Sequence, residues 1–283
     1  MFQKDLLKNR VIFLTGGGTG LGRSMALHFA TLGARLFIVG RREGPLKDTC
    51  AAIQSAGGNA AFATCDVRDY AAVENAATAA DQFGPVDTVV NNAAGNFMAR
   101  TEKLSANAFN SVVGIVLNGT FHCTQAFAKR WIAKKTGGNV LNIVTTYAAA
   151  NSGSGFVVPS ACAKAGVLAM TRSLAVEWAK YRIRLNAIAP GPFPTEGAWS
   201  RLMASKEFEE QARERNPMKR FGKHEELGNL AAFLLSDMAQ YINGECVVID
   251  GGQWLRGAGE FNDLAMLPDS AWEAMESARA KKS

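Results

Sequence analysis

Val11-Ile12-Phe13-Leu14-Thr15-Gly16-Gly17-Gly18-Thr19-Gly20-Leu21-Gly22 sets the reading of this chain. Five β-forming residues run into a glycine cluster, and a helical pattern follows near 20–32. Glycine lets the backbone turn tightly and approach a bulky anion. A helix starting there offers unpaired N–H groups and the positive end of its dipole. Strand, glycine turn and helix in that order read as a pyrophosphate site of a dinucleotide, formed by Gly16, Gly18, Thr19, Gly20, Leu21 and Gly22. The spacing is not GxGxxG, because Leu21 stands where that pattern has its third glycine.

The alternation continues outward from this point. Strands are predicted at Val11–Thr15, Arg35–Val39, Ala60–Thr64, Val86–Val90, Asn139–Thr145, Arg182–Ala187 and Cys246–Ile249, with helices near 20–32, 43–56, 69–82, 105–134, 159–180 and 224–236. Nearly continuous apolar strands between helices predict an α/β fold with a doubly wound, mostly parallel sheet of Rossmann type. Residues 1–252 read as one catalytic domain. The stretch 191–223, rich in Pro, Gly and charge, reads as a substrate-loop insertion. An extension, 253–283, carries the capping-box pattern Ser270-Ala271-Trp272-Glu273 ahead of a short helix, and its Trp254 and Trp272 are expected to pack on the body or on a neighbouring subunit.

A chain of 283 residues, 48% apolar and 20% charged, suits one soluble globular domain with a sizeable core. The formal net charge of +6 serves solubility or attracts phosphate-bearing ligands, and no block of like charge suggests a nucleic-acid tail. No apolar run is long enough to span a bilayer, and Val11–Leu14 is too short for a signal peptide. Cys50, Cys65, Cys123, Cys162 and Cys246 are odd in number and form no CxxC pair. Neither a disulfide framework nor a metal site is expected, and a cytoplasmic location fits.

The second strand ends in Val39-Gly40-Arg41-Arg42. A site for NAD places a carboxylate near this position to bind the ribose hydroxyls. A guanidinium instead forms a planar fork for a 2′-phosphate. NADP(H) is therefore the expected cofactor, with Arg41 as the clamp.

Further motifs are Cys65-Asp66-Val67, Asn91-Asn92-Ala93-Ala94-Gly95, Pro159-Ser160-Ala161-Cys162-Ala163-Lys164 and Pro190-Gly191-Pro192-Phe193 with Thr195. With the TGxxxGxG turn they resemble the short-chain dehydrogenase/reductase family over about residues 10–252. The resemblance implies an adenine contact at Asp66 and Val67, and a cofactor border at Asn92 and Ala93. It implies a hold on the nicotinamide amide from Pro190, Gly191, Phe193 and Thr195, and on the ribose hydroxyls from Lys164. It also implies a homotetramer packed through the helices near 105–134 and 159–180.

One position departs from that family. Its proton donor is a tyrosine four residues before the lysine, and here Ser160 stands there. Hydride addition to a ketone leaves a strongly basic alkoxide. A phenol of pKa about 10 beside an ammonium can protonate it, whereas a serine hydroxyl is a far weaker acid. Conjugate reduction of an unsaturated thioester makes a milder demand. Its charge develops on an enolate oxygen that fixed hydrogen-bond donors can stabilise.

Tyr147, after Thr145-Thr146, and Asn118, in Val116-Leu117-Asn118-Gly119-Thr120, could supply such donors. Asparagine within a helix either holds a structural water at a kink or takes a direct catalytic part. Together with Gly153-Ser-Gly-Phe-Val-Val-Pro-Ser160, these segments look like the 2,4-dienoyl-CoA reductases of mitochondrial type, a branch of the same family. That resemblance implies that Tyr147 and Asn118 bind the thioester oxygen of an acyl-CoA while Ser160 and Lys164 help to fix the cofactor. In that branch one residue separates the threonine pair from the tyrosine. Here Tyr147 follows directly, so it either reaches the site from a shifted backbone or packs at the strand end. Arg68 is the expected contact for CoA phosphates. Phe97, Phe193, Trp199 and Leu202 line an acyl groove or serve core or subunit packing.

The expected activity is NADPH-dependent reduction of 2,4-dienoyl-CoA to a 3-enoyl-CoA during oxidation of unsaturated chains. The rivals are a 2-enoyl thioester reductase, a carbonyl reductase using Tyr147 as acid, and a non-catalytic NADPH-binding protein.

Overall fold

The computed structural model describes residues 4–148, 153–195, 206–258, 268–271 and 273. Strand β1 (Val11–Thr15) leads through α1 (Gly20–Thr31) to β2 (Arg35–Gly40), then through α2 (Glu43–Ser55) to β3 (Asn59–Thr64). Helix α3 (Tyr70–Phe83) returns the chain to β4 (Thr88–Asn91). Helices α4 (Ala106–Val113) and α5 (Gly119–Lys134) precede β5 (Gly138–Ile143), and α6 (Val158–Trp178) precedes β6 (Ile183–Pro190). Helices α7 (Lys206–Arg215) and α8 (His224–Leu235) lead to β7 (Cys246–Ile249) and α9 (Gln253–Ala258).

The seven strands form one sheet in the order β3-β2-β1-β4-β5-β6-β7, with all six pairings parallel. A parallel neighbour requires a crossover, and the helices provide it on both faces. Ile12 and Leu14 of β1 join Met25, Phe29, Leu227 and Leu235 in the core beneath α1, α2 and α8. Val11 and Phe13 point the other way, to Val73, Phe127 and Trp131 beneath α3 and α5. Two buried faces explain why the strand reads as unbroken apolar sequence rather than as alternation. Each fully buried side chain of this size contributes about 1.5–3 kcal/mol.

The chain starts in the middle of the sheet, winds outward through β2 and β3, then crosses back to β4. This reversal opens a crevice at the carboxyl ends of β1 and β4, where open α/β sheets take their ligands. Asn91 braces that point. Its Nδ2 donates to Thr124 Oγ1 and to Asn142 Oδ1, both at 2.9 Å, and Asn142 Nδ2 donates to Thr171 Oγ1 at 2.8 Å. These bonds join β4, β5, α5 and α6.

Two sequence expectations change. The helix expected over 105–134 is interrupted by a π-helical turn, Gly114–Asn118, between α4 and α5. Gly119 lies so close to Val67 that a Cβ there would stand 2.5 Å from Val67 Cγ2. Thr120 Oγ1 donates to the Val116 carbonyl at 2.6 Å, so that buried acceptor is satisfied where the helix widens. The loop expected over 191–223 also contains α7, whose alternating Glu and Arg include the pairs Arg213–Glu209 and Arg213–Glu210. After β7, α9 begins the extension and residues 269–271 are helical. Trp199, Arg201, Leu202 and Trp272 lie outside the described residues. Among the described residues, no helix is long and apolar enough to cross a membrane.

Candidate active site

The glycine turn is held from behind. Thr15 Oγ1 accepts the N–H groups of Asn92 (3.0 Å) and Ala93 (2.9 Å), and Asn92 Nδ2 donates to the Thr15 carbonyl at 3.0 Å. Asn92 thus supports the turn through its side chain. Gly16 has φ +69°, and a Cβ on Gly22 would lie 2.2 Å from the Gly16 carbonyl oxygen, so the first turn of α1 can sit here only on glycine. Thr19 precedes α1 without a side-chain cap, which leaves helix N–H groups for an anion. Leu21 packs its side chain against the core, so only its backbone can face a ligand.

Gly16, Gly18, Thr19, Arg41, Arg42, Asp66, Val67 and Ala93 line one cleft. A dinucleotide fits this arrangement, with its phosphates at the glycines and its adenosine toward Arg41. Arg42 is an addition to the sequence reading, and its adjacency to Arg41 was the available signal. Asp66 and Arg68, read separately from the sequence, are bonded to each other. Arg68 Nε lies 3.0 Å from both Asp66 oxygens, and the Arg68 backbone N–H donates to Oδ1 at 3.0 Å. The bond to Arg68 holds the Asp66 carboxyl below its usual range, helped by the charge of Arg41. Arg68 could therefore meet a CoA phosphate only by sharing or leaving this partner.

At the other end of the crevice, Ser160 and Lys164 lie one turn apart on α6, both buried. Lys164 Nζ donates to the Ile143 carbonyl at the end of β5. Burial lowers the Lys164 pKa to about 8. Tyr147 sits in a short 3₁₀ turn, Thr146–Ala148, and its Oη is 3.0 Å from Ser160 Oγ. The phenol thus stands over the serine that replaces the family tyrosine. Asn96 Nδ2 lies 3.5 Å from the same Oη. Asn96 went unassigned in the sequence reading, although it directly follows the motif Asn91–Gly95.

Asn118 ends the π-helical turn, exposed, and its carboxamide makes no hydrogen bond among the described residues. Leu117 packs on Gly166 of α6, where a Cβ would be 3.1 Å from Leu117 Cδ1. The π-helical turn therefore sits against the helix that carries Ser160 and Lys164.

Pro190 ends β6, and the Gly191 N–H donates to the Ile249 carbonyl at 2.9 Å. Phe193 is largely buried, packs on the core and also lines a small cavity with Phe221 and Ile249, and Phe97 is partly exposed. Thr195 leans over Gly20, within 3.6 Å of where a Cβ would be. Thr146, Tyr147, Ser154, Asp250, Gln253 and Trp254 line a second cavity, which brings α9 to the tyrosine. In the excursion, Lys219 pairs with Glu214 and Arg220 with Glu226, as expected of a charged surface.

Comparison with known proteins fits this geometry. Residues 16–253 match the family described as enoyl-(acyl carrier protein) reductase. A Bacillus subtilis (strain 168) protein named as a probable 2,4-dienoyl-CoA reductase, (2E)-enoyl-CoA-producing, is 47% identical over 251 residues, covering 88% of this chain and 98% of its own length. The Arabidopsis thaliana peroxisomal 2,4-dienoyl-CoA reductase, (3E)-enoyl-CoA-producing, is 37% identical over 266 residues, 90% of this chain and 87% of that one. A crystal structure of a short chain dehydrogenase from Bacillus anthracis superposes with a TM-score of 0.78 at 44% identity, covering 86% of this chain and 96% of that one.

Proposed function

The chain belongs to the short-chain dehydrogenase/reductase family and is an oxidoreductase, and from that premise we propose that it reduces 2,4-dienoyl-CoA thioesters with NADPH. The observation that carries this reading is the placement of the Tyr147 hydroxyl 3.0 Å from Ser160, one turn from buried Lys164, with no phenol on α6 itself. Bound NADPH would supply the hydride. Everything else is asked of the protein's own groups.

Tyr147 donates to the thioester oxygen, and Ser160 holds the phenol in place. The Asn118 carboxamide, free of other partners among the described residues, offers a second donor to that oxygen. Two fixed donors suit an enolate, whose charge is spread and whose basicity is modest. Lys164, already desolvated, takes the ribose hydroxyls. Arg41, beside Arg42 on the cleft wall, takes the 2′-phosphate in place of the carboxylate that NAD would require. The exposed apolar side chains Phe121 on α5 and Val176 on α6 suit helix packing in a homotetramer.

Hydride at C5 of the diene leaves a dienolate that can take its proton at C2 or at C4. The first gives a 3-enoyl-CoA and the second a 2-enoyl-CoA, the two products in the relatives' names. We assign the first. Product analysis after incubation with NADPH and 2,4-hexadienoyl-CoA tests it: 3-hexenoyl-CoA is expected, and 2-hexenoyl-CoA would move the proton to C4. Reduction of a 2-enoyl thioester alone would favour the enoyl reductase reading, to which the family description also points. A second reading, carbonyl reduction with Tyr147 as acid, would use the same phenol without the lysine one helical turn away on its own helix, and it predicts turnover of simple ketones.

A further inference from the structure

Pro190-Gly191-Pro192-Phe193-Pro194-Thr195 contains three prolines, so half of its residues have no N–H to donate. Beyond the Gly191 N–H, which donates to Ile249, such a segment depends on donors from elsewhere that reach its carbonyls. The Gly222 N–H reaches the Pro192 carbonyl at 3.1 Å. Two residues on along each strand of chain, the donor to the Pro194 carbonyl is a side chain: His224 Nε2, at 2.6 Å. The other ring nitrogen, Nδ1, is 2.6 Å from Ser24 Oγ on α1.

A carbonyl can only accept, so Nε2 carries a proton whether the ring is neutral or charged. Nδ1 then accepts from the Ser24 hydroxyl, or donates to it while Ser24 donates to the Gly20 carbonyl, 3.2 Å away. The hold on Pro194 is the same in both states. Helix geometry brings the ring to this point. Ser24 and His28 are four apart on α1, and His224 and Gly228 are four apart on α8, so both pairs share a face. Gly228 lets the helices close, since a Cβ there would be 2.8 Å from the His28 ring. One imidazole therefore joins the helix that starts at the glycine turn to the segment whose Thr195 lies over Gly20.

We infer that His224 is a positioning residue for the nicotinamide end of the cofactor site. It fixes Pro194–Thr195 at a set distance from the glycine turn without itself touching the cofactor. The inference rests on the reading of Pro190–Thr195 as the nicotinamide border.

Asparagine and glutamine separate the two ring nitrogens. His224→Asn keeps a polar group at the Nδ1 position and loses the donor to Pro194. His224→Gln reaches as far as Nε2 and keeps it. Binding is read by titrating NADPH, and separately 2′,5′-ADP, which carries only the adenosine half. His224→Asn should weaken NADPH about three- to tenfold, the worth of one hydrogen bond or slightly more, and leave 2′,5′-ADP within about twofold. His224→Gln should recover most of the loss. Unchanged NADPH affinity in His224→Asn would overturn the inference, as would equal weakening of both ligands or a glutamine variant no better than the asparagine one. No thioester enters these titrations. The Asn/Gln contrast between the variants, together with a wild type that turns over no dienoyl-CoA, would end the substrate reading and keep this one.

Discussion

Lys164 is charged chemistry placed in an apolar wall. Its folded-state pKa of about 8 lies below the ordinary lysine value of 10.5, with burial as the cause. Below about pH 8 the folded and unfolded states both hold the proton, and burial costs the fold its full difference, on the order of 3 kcal/mol before the bond to the Ile143 carbonyl is counted. From about 8 to 10.5 the unfolded chain binds more protons than the folded one, so this contribution to stability rises with pH. Lys164→Met should therefore be at least as stable as wild type in denaturant titrations at pH 7, with the gap closing as pH rises through that window, and it should be inactive. At the same scale, Tyr147→Phe should lower kcat by about 10²–10³, the usual cost of one oxyanion donor. Ser160→Ala should lower it by about tenfold or less, because a single neutral hydrogen bond is worth about 1 kcal/mol. Steady-state kinetics on a dienoyl-CoA separates the two. Ser160 and Lys164 were legible as a pair because a helix places positions four apart on one face. The reach of Tyr147 was not, since it depends on a 3₁₀ turn that the letters Thr-Thr-Tyr do not specify.

The decisive elements are the glycine turn and the π-helical turn before α5. Asn118 stands exposed and unpartnered, among the described residues, inside a helical run where asparagine is a weak former. If its purpose is catalytic, Asn118→Ala should leave the thermal midpoint unchanged or slightly raised, by about 0.5 kcal/mol of helix propensity, while kcat falls at least about tenfold. A kink residue with a structural role would show the reverse. The sequence reading could locate Asn118 but not the π-helical turn, next to which Gly119 packs closely on Val67 from a distant part of the chain. The Asp66–Arg68 pair is a local contact between residues two apart, whereas Phe193 meets Gly222 from farther along the chain. Local patterns named all three residues, but only the folded chain shows that the first two bond to each other and that the third packs on the core beside a small cavity.

At the scale of the molecule, the seven-stranded sheet gathers the candidate site residues at the carboxyl ends of its strands. The doubly wound, parallel sheet was readable from alternating strands and helices, because a parallel neighbour admits few connections. The same winding brings the end of β2, with Arg41, to the wall of the switch-point crevice, where the proposed NADPH would place its adenosine. Arg41→Ala should raise the KM for NADPH about tenfold or more and leave that for NADH nearly unchanged, since one charge-assisted fork to a phosphate is lost. An enolate, and not an alkoxide, is the anion proposed to form in this crevice. The most direct measurement is kcat/KM for NADPH oxidation by the wild-type protein with 2,4-hexadienoyl-CoA and, in parallel, with a simple ketone. Efficient turnover of the thioester and negligible turnover of the ketone are predicted. Robust ketone reduction with no reaction of the dienoyl-CoA would contradict the account.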